Sequence, residues 1–362
     1  MKIPFMDTTI RDQGLKKELL ISYEKILDHG RFILGPEVEI FEKEIAHFHQ
    51  AKFAIGMSSG TDALYMIYRA LNLKPNDEVI IPALSWIATA NAVAVAGLTP
   101  VFCDIRDDLN MDPESVAKLI TAKTKVIMPV HFMGQVCEMD PLISLAQKHN
   151  LLIIEDASQA IGAKYKGRLA GTFGFAMGMS LNPMKILGAG GEAGVVTTND
   201  EKLFHKIVAL RYNGMVNKVD CQFRSLNGRI DTVQAGFLSV KLKYMSAVIK
   251  RRKEIVGQYN EAFRGLVKCL PENPDYENTY YGYTLRIKNR NEFIKYLIEH
   301  GVETKIQHYP LMPEQPAYKE FSGDHYPKAI KIAEEIVNIP NHENLSDANV
   351  AHIIKVVKGF VS

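Results

Sequence analysis

The sequence predicts an α/β protein, with a mainly parallel sheet flanked by helices and a smaller C-terminal α+β domain. Three observations carry this. Short apolar runs rich in β-branched residues alternate with segments of helical spacing from about residue 60 to 200. The runs are apolar throughout, as strands buried on both faces require. After about residue 230 the texture turns helical and then aromatic, so 1–240 is expected as the large domain and 241–362 as the small one.

The candidate strands are Glu78–Pro82 (EVIIP), Pro100–Asp104 (PVFCD), Lys125–Val130 (KVIMPV), Leu151–Glu155 (LLIIE) and Gly194–Thr198 (GVVTT). Between them, helical spacing marks Asp62–Leu71, Ala88–Ala96, Pro113–Ile120 and Asp140–His149. Asp231 to about Leu266 reads as one long helix, and its basic run Lys250–Lys253 as a solvated helix face. The aromatic run YYGYTLRI is strand-like, and helical patterns follow at Asn291–His300 and Tyr326–Ile336.

Composition narrows the function classes. The 362 residues are 47% hydrophobic and 23% charged, which excludes a disordered chain, a collagen-like repeat and a coiled-coil rod. Lys plus Arg (43) against Asp plus Glu (41) leaves +2, with no basic stripe for a nucleic acid. Cys103, Cys137, Cys221 and Cys269 lack metal-ligand spacing and read as buried thiols of a reducing compartment. No metal site is expected. The N-terminus lacks the apolar core of a signal peptide. The apolar stretch Ile87–Leu98 is interrupted by Thr89 and Asn91 and is too short to span a bilayer. The expectation is a cytoplasmic chain without a membrane or nucleic-acid partner.

Polar clusters fall at the carboxyl ends of the expected strands, where ligands bind in such sheets. Asp156 ends LLIIED, and Ser158 and Gln159 follow. Lys185 stands among small and apolar neighbours in SLNPMKILGAGG, which favours the neutral amine needed for Schiff-base chemistry. Ser58-Ser59-Gly60-Thr61-Asp62 precedes a helical pattern and suits either a phosphate seat or a plain helix cap. Trp86, the only tryptophan, follows the strand EVIIP and could stack on a planar ring. Gly188 to Ala193 matches a dinucleotide fingerprint, but it runs into a strand rather than opening a helix, so nicotinamide binding is not expected.

Taken in order, these motifs resemble the DegT/DnrJ/StrS-type sugar aminotransferases, which are fold type I pyridoxal-phosphate (PLP) enzymes with an aspartate aminotransferase-like fold. The resemblance spans nearly the whole chain, from HGRFILGPEVEIFEKE at His29 to HYPLMPEQPAY at His308. It implies that Lys185 forms the Schiff base with pyridoxal 5'-phosphate and that Asp156 keeps the pyridine nitrogen protonated. It implies Gln159 on the ring hydroxyl, Trp86 on the ring face, and Gly60, Thr61 and Ser180 on the phosphate. Asn227 would reach the phosphate in a partner subunit, implying a homodimer with shared sites. His308 and Tyr309 would lie near a sugar and Arg229 near nucleotide phosphates. The sequence departs from the family at Leu181 and Asn182, where an aromatic residue or His is usual.

The reaction so implied moves an amino group from L-glutamate to a keto group of a nucleotide-linked sugar, at C3 rather than C4 by the HYP…QPAY segment, for polysaccharide or glycosylated-metabolite synthesis. A keto-inositol aminotransferase, a sugar dehydratase of the same fold and an inactive ligand-binding regulator are the alternatives. The dehydratase is opposed by the intact Lys185.

Overall fold

The computed structural model describes residues 2–217, 219–323 and 325–361. Helices α1 (Gln13–His29) and α2 (Pro36–Phe48) lead into β1 (Phe53–Met57) and α3 (Gly60–Ala70). The alternation continues through β2 (Glu78–Pro82), α4 (Ala88–Val95), β3 (Thr99–Cys103), α5 (Pro113–Leu119), β4 (Thr124–Ile127), α6 (Met139–His149) and β5 (Leu152–Asp156). A short hairpin, β6 (Lys164–Tyr165) and β7 (Arg168–Leu169), precedes β8 (Ala176–Ser180), β9 (Gly194–Thr198) and α7 (Glu201–Arg211).

Seven of these strands form one sheet in the order β1-β9-β8-β5-β4-β2-β3. Only β9 runs antiparallel to its neighbours. The sheet is therefore mainly parallel, and its apolar strands are buried almost throughout. Of the expected strands, Glu78–Pro82 and Gly194–Thr198 match residue for residue, and three others shift by one or more residues. β1 (FAIGM) and β8 (AMGMS) carry no such signal: their glycine, alanine and methionine have weak strand preference.

The remaining chain contains α8 (Thr232–Leu242), α9 (Met245–Phe263), β10 (Lys268–Cys269), β11 (Tyr276–Glu277), β12 (Tyr283–Arg286), α10 (Arg290–Glu299), α11 (Pro327–Glu335), β13 (Ile336–Ile339) and α12 (Asp347–Val361). β10, β12 and β13 make a second sheet, while β11 joins β6 and β7. A second core gathers Ile255, Tyr259, Phe263, Leu285, Phe293, Val337 and Ile353, and takes in Ile3 from the N-terminus. Leu311 to Ile336 returns to pack on the first core, so no single cut separates the two.

Three sequence expectations need correction. The long helix from Asp231 is two helices, broken at Lys243 and Tyr244. Both residues stay in the right-handed helical region, so no Gly or Pro marks the break. Tertiary contacts hold the turn instead, with Tyr244 Oη donating to Glu18 at 2.6 Å. The basic run is not wholly solvated. Lys250 and Lys253 are exposed, but Arg252 is 1% exposed and donates to the Asn341 carbonyl and to Glu343. Of the four cysteines, Cys103 and Cys137 are buried, Cys221 is exposed and Cys269 is half-buried. Cys269 lies on the edge strand β10, and Cys221 on a loop between α7 and α8.

Candidate active site

The carboxyl ends of β5 and β8 and the amino end of α3 meet around a cavity of about 300 Å³. Asp156, the last residue of β5, is buried at its floor. Its carboxylate accepts from Thr89 Oγ1 at 3.2 Å and from the Ser158 amide at 3.1 Å. Thr89 is in turn 2.9 Å from the Ser85 hydroxyl. The preceding carboxylate goes the other way. Glu155 is fully buried beneath the sheet, 2.8 Å from His131 Nε2, and accepts the amides of Gly171, Phe173 and Gly174. Glu155 is thus structural, whereas Asp156 faces the cavity.

Beside Asp156, the α3 N-terminus opens on the same space. Ser59 caps it, accepting the Asp62 amide at 3.0 Å, and the N–H groups of Gly60 and Thr61 belong to the helix's open first turn. Gly60 is required by close approach: a Cβ there would stand 2.5 Å from Ser180 Cβ and 2.7 Å from its Cα. Gly194 is likewise pressed against the Ser59 carbonyl. Ser180 is held by its amide, which donates to Ser158 Oγ at 2.9 Å. The result is a cradle of amides and hydroxyls over a helix dipole, matched to a phosphate.

Lys185 lines the cavity from the turn between β8 and β9. Asn182 shapes that turn. Its carbonyl accepts the Lys185 amide at 2.8 Å, and its side chain accepts from Met184 and donates to Glu192. Leu181 is buried in the core. The two departures from the family pattern therefore serve the turn and the core. Lys185 Nζ sits 4.9 Å from the Tyr281 ring centre, and no carboxylate pairs with it among the described residues. With no carboxylate to hold its charge, the side-chain nitrogen is free to condense, as the neutral amine, with a carbonyl group.

Gln159 is buried at the cavity wall, its Oε1 accepting the Met133 amide at 3.0 Å. Trp86 stands at the mouth, 58% exposed, with its ring 5.3 Å from that of His308. Burial lowers the His308 pKa to about 3, and the charges of Lys185 and Lys305 add to the effect. His308 therefore stays a neutral imidazole. Tyr309 is half exposed with Arg290 over its ring, and does not line the cavity. Asn227 and Arg229 bond to each other on an exposed loop and also lie outside it. The structure thus brings together Lys185, Asp156, Gly60, Thr61, Trp86, Gln159, Ser180 and His308. Sequence reasoning missed Thr89, Tyr281 and Lys305. Thr89 left one signal, as a polar break in the apolar run Ile87–Leu98.

Comparison with known proteins gives the family. The model of the DegT/DnrJ/EryC1/StrS aminotransferase family matches residues 13–358. The chain belongs to that family. It is 37% identical to a dTDP-3-amino-3,6-dideoxy-alpha-D-galactopyranose transaminase of Aneurinibacillus thermoaerophilus, over 99% of each chain. It is 35% identical to a UDP-N-acetyl-3-dehydro-alpha-D-glucosamine 3-aminotransferase of Acidithiobacillus ferrooxidans, over 98% of this chain and 97% of that one. The crystal structure of S. venezuelae DesV with a bound ketimine intermediate superposes with a TM-score of 0.96 at 32% identity, covering 100% of this chain and 99% of that one. The fold is thus that of a fold type I PLP enzyme, and the chain is a PLP-dependent aminotransferase. The cavity fits the cofactor: it offers a helix-end cradle, a buried carboxylate and an unpaired lysine on three walls.

Proposed function

We propose that this enzyme transfers an amino group from L-glutamate to the C3 keto group of a nucleotide-linked sugar, in the cytoplasm, for amino-sugar synthesis. The observation that carries the reading is the convergence of Lys185 and Asp156 on one cavity. The names of two relatives favour carbon 3, on dTDP and UDP sugars respectively.

Bound PLP supplies an electron sink for the electrons released at the donor's α-carbon. Lys185 Nζ holds the cofactor, then takes the α-proton and returns it as general acid. Asp156, oriented by Thr89 and the Ser158 amide, would face the pyridine nitrogen. Gly60, Thr61 and Ser180 would hold the phosphate, Gln159 the ring hydroxyl, and Trp86 the ring face. His308, kept neutral, and Tyr309 orient the sugar. The same residues serve both halves of the reaction, so 2-oxoglutarate leaves before the keto sugar enters.

Asn227 and Arg229 do not line the cavity around Asp156 and Lys185 in their own chain, so their roles at the cofactor and nucleotide phosphates call for a homodimer with shared sites. Exposed apolar residues support this: Leu20 and Leu27 of α1, then Phe32, Ile33 and Leu226. No helix among the described residues is long and apolar enough to cross a membrane. The test is a panel of 3-keto and 4-keto nucleotide sugars with L-glutamate, scored by product mass. Amination of a 3-keto member is the expected outcome.

A further inference from the structure

L-Glutamate carries two carboxylates into a cavity whose own carboxylates, Asp156 and Glu192, repel them. Asp156 lies at the floor, matched to the cofactor, and Glu192 accepts from Asn182 Nδ2 at 2.6 Å. Among the described residues, two lysines line the cavity, Lys185 and Lys305, and no arginine does. Lys185 is committed to bonding the cofactor and moving the proton. His308 adds no charge, because burial first, and then the charges of Lys185 and Lys305, keep its imidazole neutral. Lys305 is thus the cation left to meet a carboxylate of the donor.

Lys305 stands on the irregular stretch between α10 and α11, and its backbone is tied to β13. Its amide donates to the Asn338 carbonyl at 3.1 Å, and its carbonyl accepts the Asn338 amide at 2.7 Å. The side chain is exposed at the cavity wall, and among the described residues its ammonium makes no ion pair or hydrogen bond. All three of its donors are therefore open. Two neighbours on the same wall also await a ligand. Gln307 is 2% exposed and leaves its Oε1 without a partner, and His308 leaves its buried Nε2 so. Buried polar atoms left open are costly unless a ligand's polar groups meet them. The amide and the imidazole are neutral and suit hydroxyl groups, whereas the ammonium suits a carboxylate.

We propose that Lys305 binds the side-chain carboxylate of the amino donor, and so selects glutamate over its neutral isostere glutamine. The proposal rests on the L-glutamate donor read above. With the donor's α-carbon at Lys185, its side chain has the mouth as the open direction, and Lys305, Gln307 and His308 border that mouth. The keto sugar brings hydroxyls to Gln307 and His308 instead, so Lys305 serves the first half-reaction more than the second.

The experiment compares L-glutamate with L-glutamine in the first half-reaction of the holoenzyme, followed by the cofactor's absorbance change, in wild type, Lys305→Met and Lys305→Arg. Wild type should favour glutamate. Lys305→Met should lower kcat/KM for glutamate about tenfold or more, chiefly through KM, and change that for glutamine less than about threefold. Lys305→Arg keeps the charge and should keep most of the preference. A binding readout without turnover uses α-methylglutamate, which has both carboxylates and no α-proton. Its Kd should rise about tenfold or more in Lys305→Met. Equal losses for glutamate and glutamine overturn the proposal and leave the donor reading intact. An unchanged Kd for α-methylglutamate does the same. A larger loss in the keto-sugar half-reaction than in the glutamate one gives Lys305 to the nucleotide sugar and also overturns it. A wild type that reacts no faster with glutamate than with glutamine overturns both the proposal and the donor reading beneath it.

Discussion

At the floor of the active site, Asp156 and Ser180 end strands of a sheet buried on both faces, whereas at the mouth Lys305, Gln307 and His308 come from an irregular stretch of chain. The floor is fixed by ladder hydrogen bonds that pair Asp156 with Gly178 and Ser180 with Gly194. The mouth is fixed by side-chain packing, with His308 against the rings of Trp86 and Phe132. The difference teaches where each property of the enzyme resides. Groups that act on every substrate need a rigid base, while those that choose among substrates sit on segments free to vary.

The sharpest break of this comparison is Lys185→Ala. Lys185 has no ion pair to lose, so the variant should fold and retain the cofactor cradle. Turnover should drop on the order of a thousandfold or more in both half-reactions, because the covalent anchor and the proton carrier go together. Activity within tenfold of wild type would place the chemistry elsewhere.

Asp156→Asn comes next. It keeps size and hydrogen bonding but removes the charge, so the cofactor should remain bound while α-proton removal slows on the order of a hundredfold. A primary isotope effect with α-deuterated glutamate should appear or grow. Loss of the cofactor with unchanged intrinsic rate would instead make Asp156 a structural cap.

These two residues were legible for a physical reason. Asp156 ends an apolar run, and Lys185 is a charge in an apolar neighbourhood. Yet Glu155 ends the same run and serves the opposite face. Successive strand residues alternate sides, and only the pairing of β5 with β8 decides which one meets the cavity. Thr89 left only a polar break in an apolar run and Tyr281 left no signal, since a threonine in α4 and a tyrosine before β12 gain their meaning from partners far along the chain, 67 residues away for Thr89. β1 and β8 were hidden by composition. The break between α8 and α9 was hidden because a tertiary contact, not a helix breaker, makes it.

At the mouth, His308→Gln should affect the sugar half-reaction alone, by about tenfold through one lost hydrogen bond. Because the His308 pKa lies near 3, the variant should leave the acid limb of the glutamate half-reaction in place between pH 5 and 8. Single-turnover rates with each substrate separately check this, and equal losses in both halves would move His308 to the floor.

The smallest effect concerns stability. Burial holds the pKa of His49 at about 4, partly opposed by its bond to the Ala170 carbonyl. An unfolded histidine titrates near 6.5, so below that pH the unfolded chain binds a proton that the native chain refuses. This contribution is intact above about pH 6.5. It is lost at up to about 1.4 kcal/mol per pH unit as pH falls toward 4. Thermal melting should decline from pH 7 to 5, and His49→Gln should flatten that decline if its own fold is retained. An unchanged slope would show that other groups control it.

The central claim is amine transfer to carbon 3 of a nucleotide-linked sugar, and nitrogen-15 labelling tests it most directly. The enzyme is incubated with 15N-glutamate and matched 3-keto and 4-keto nucleotide sugars, and the label is located by NMR. The account predicts 15N bonded to carbon 3 of one 3-keto substrate. Label at carbon 4, or in no sugar of the panel while glutamate still reacts with the cofactor, would contradict it.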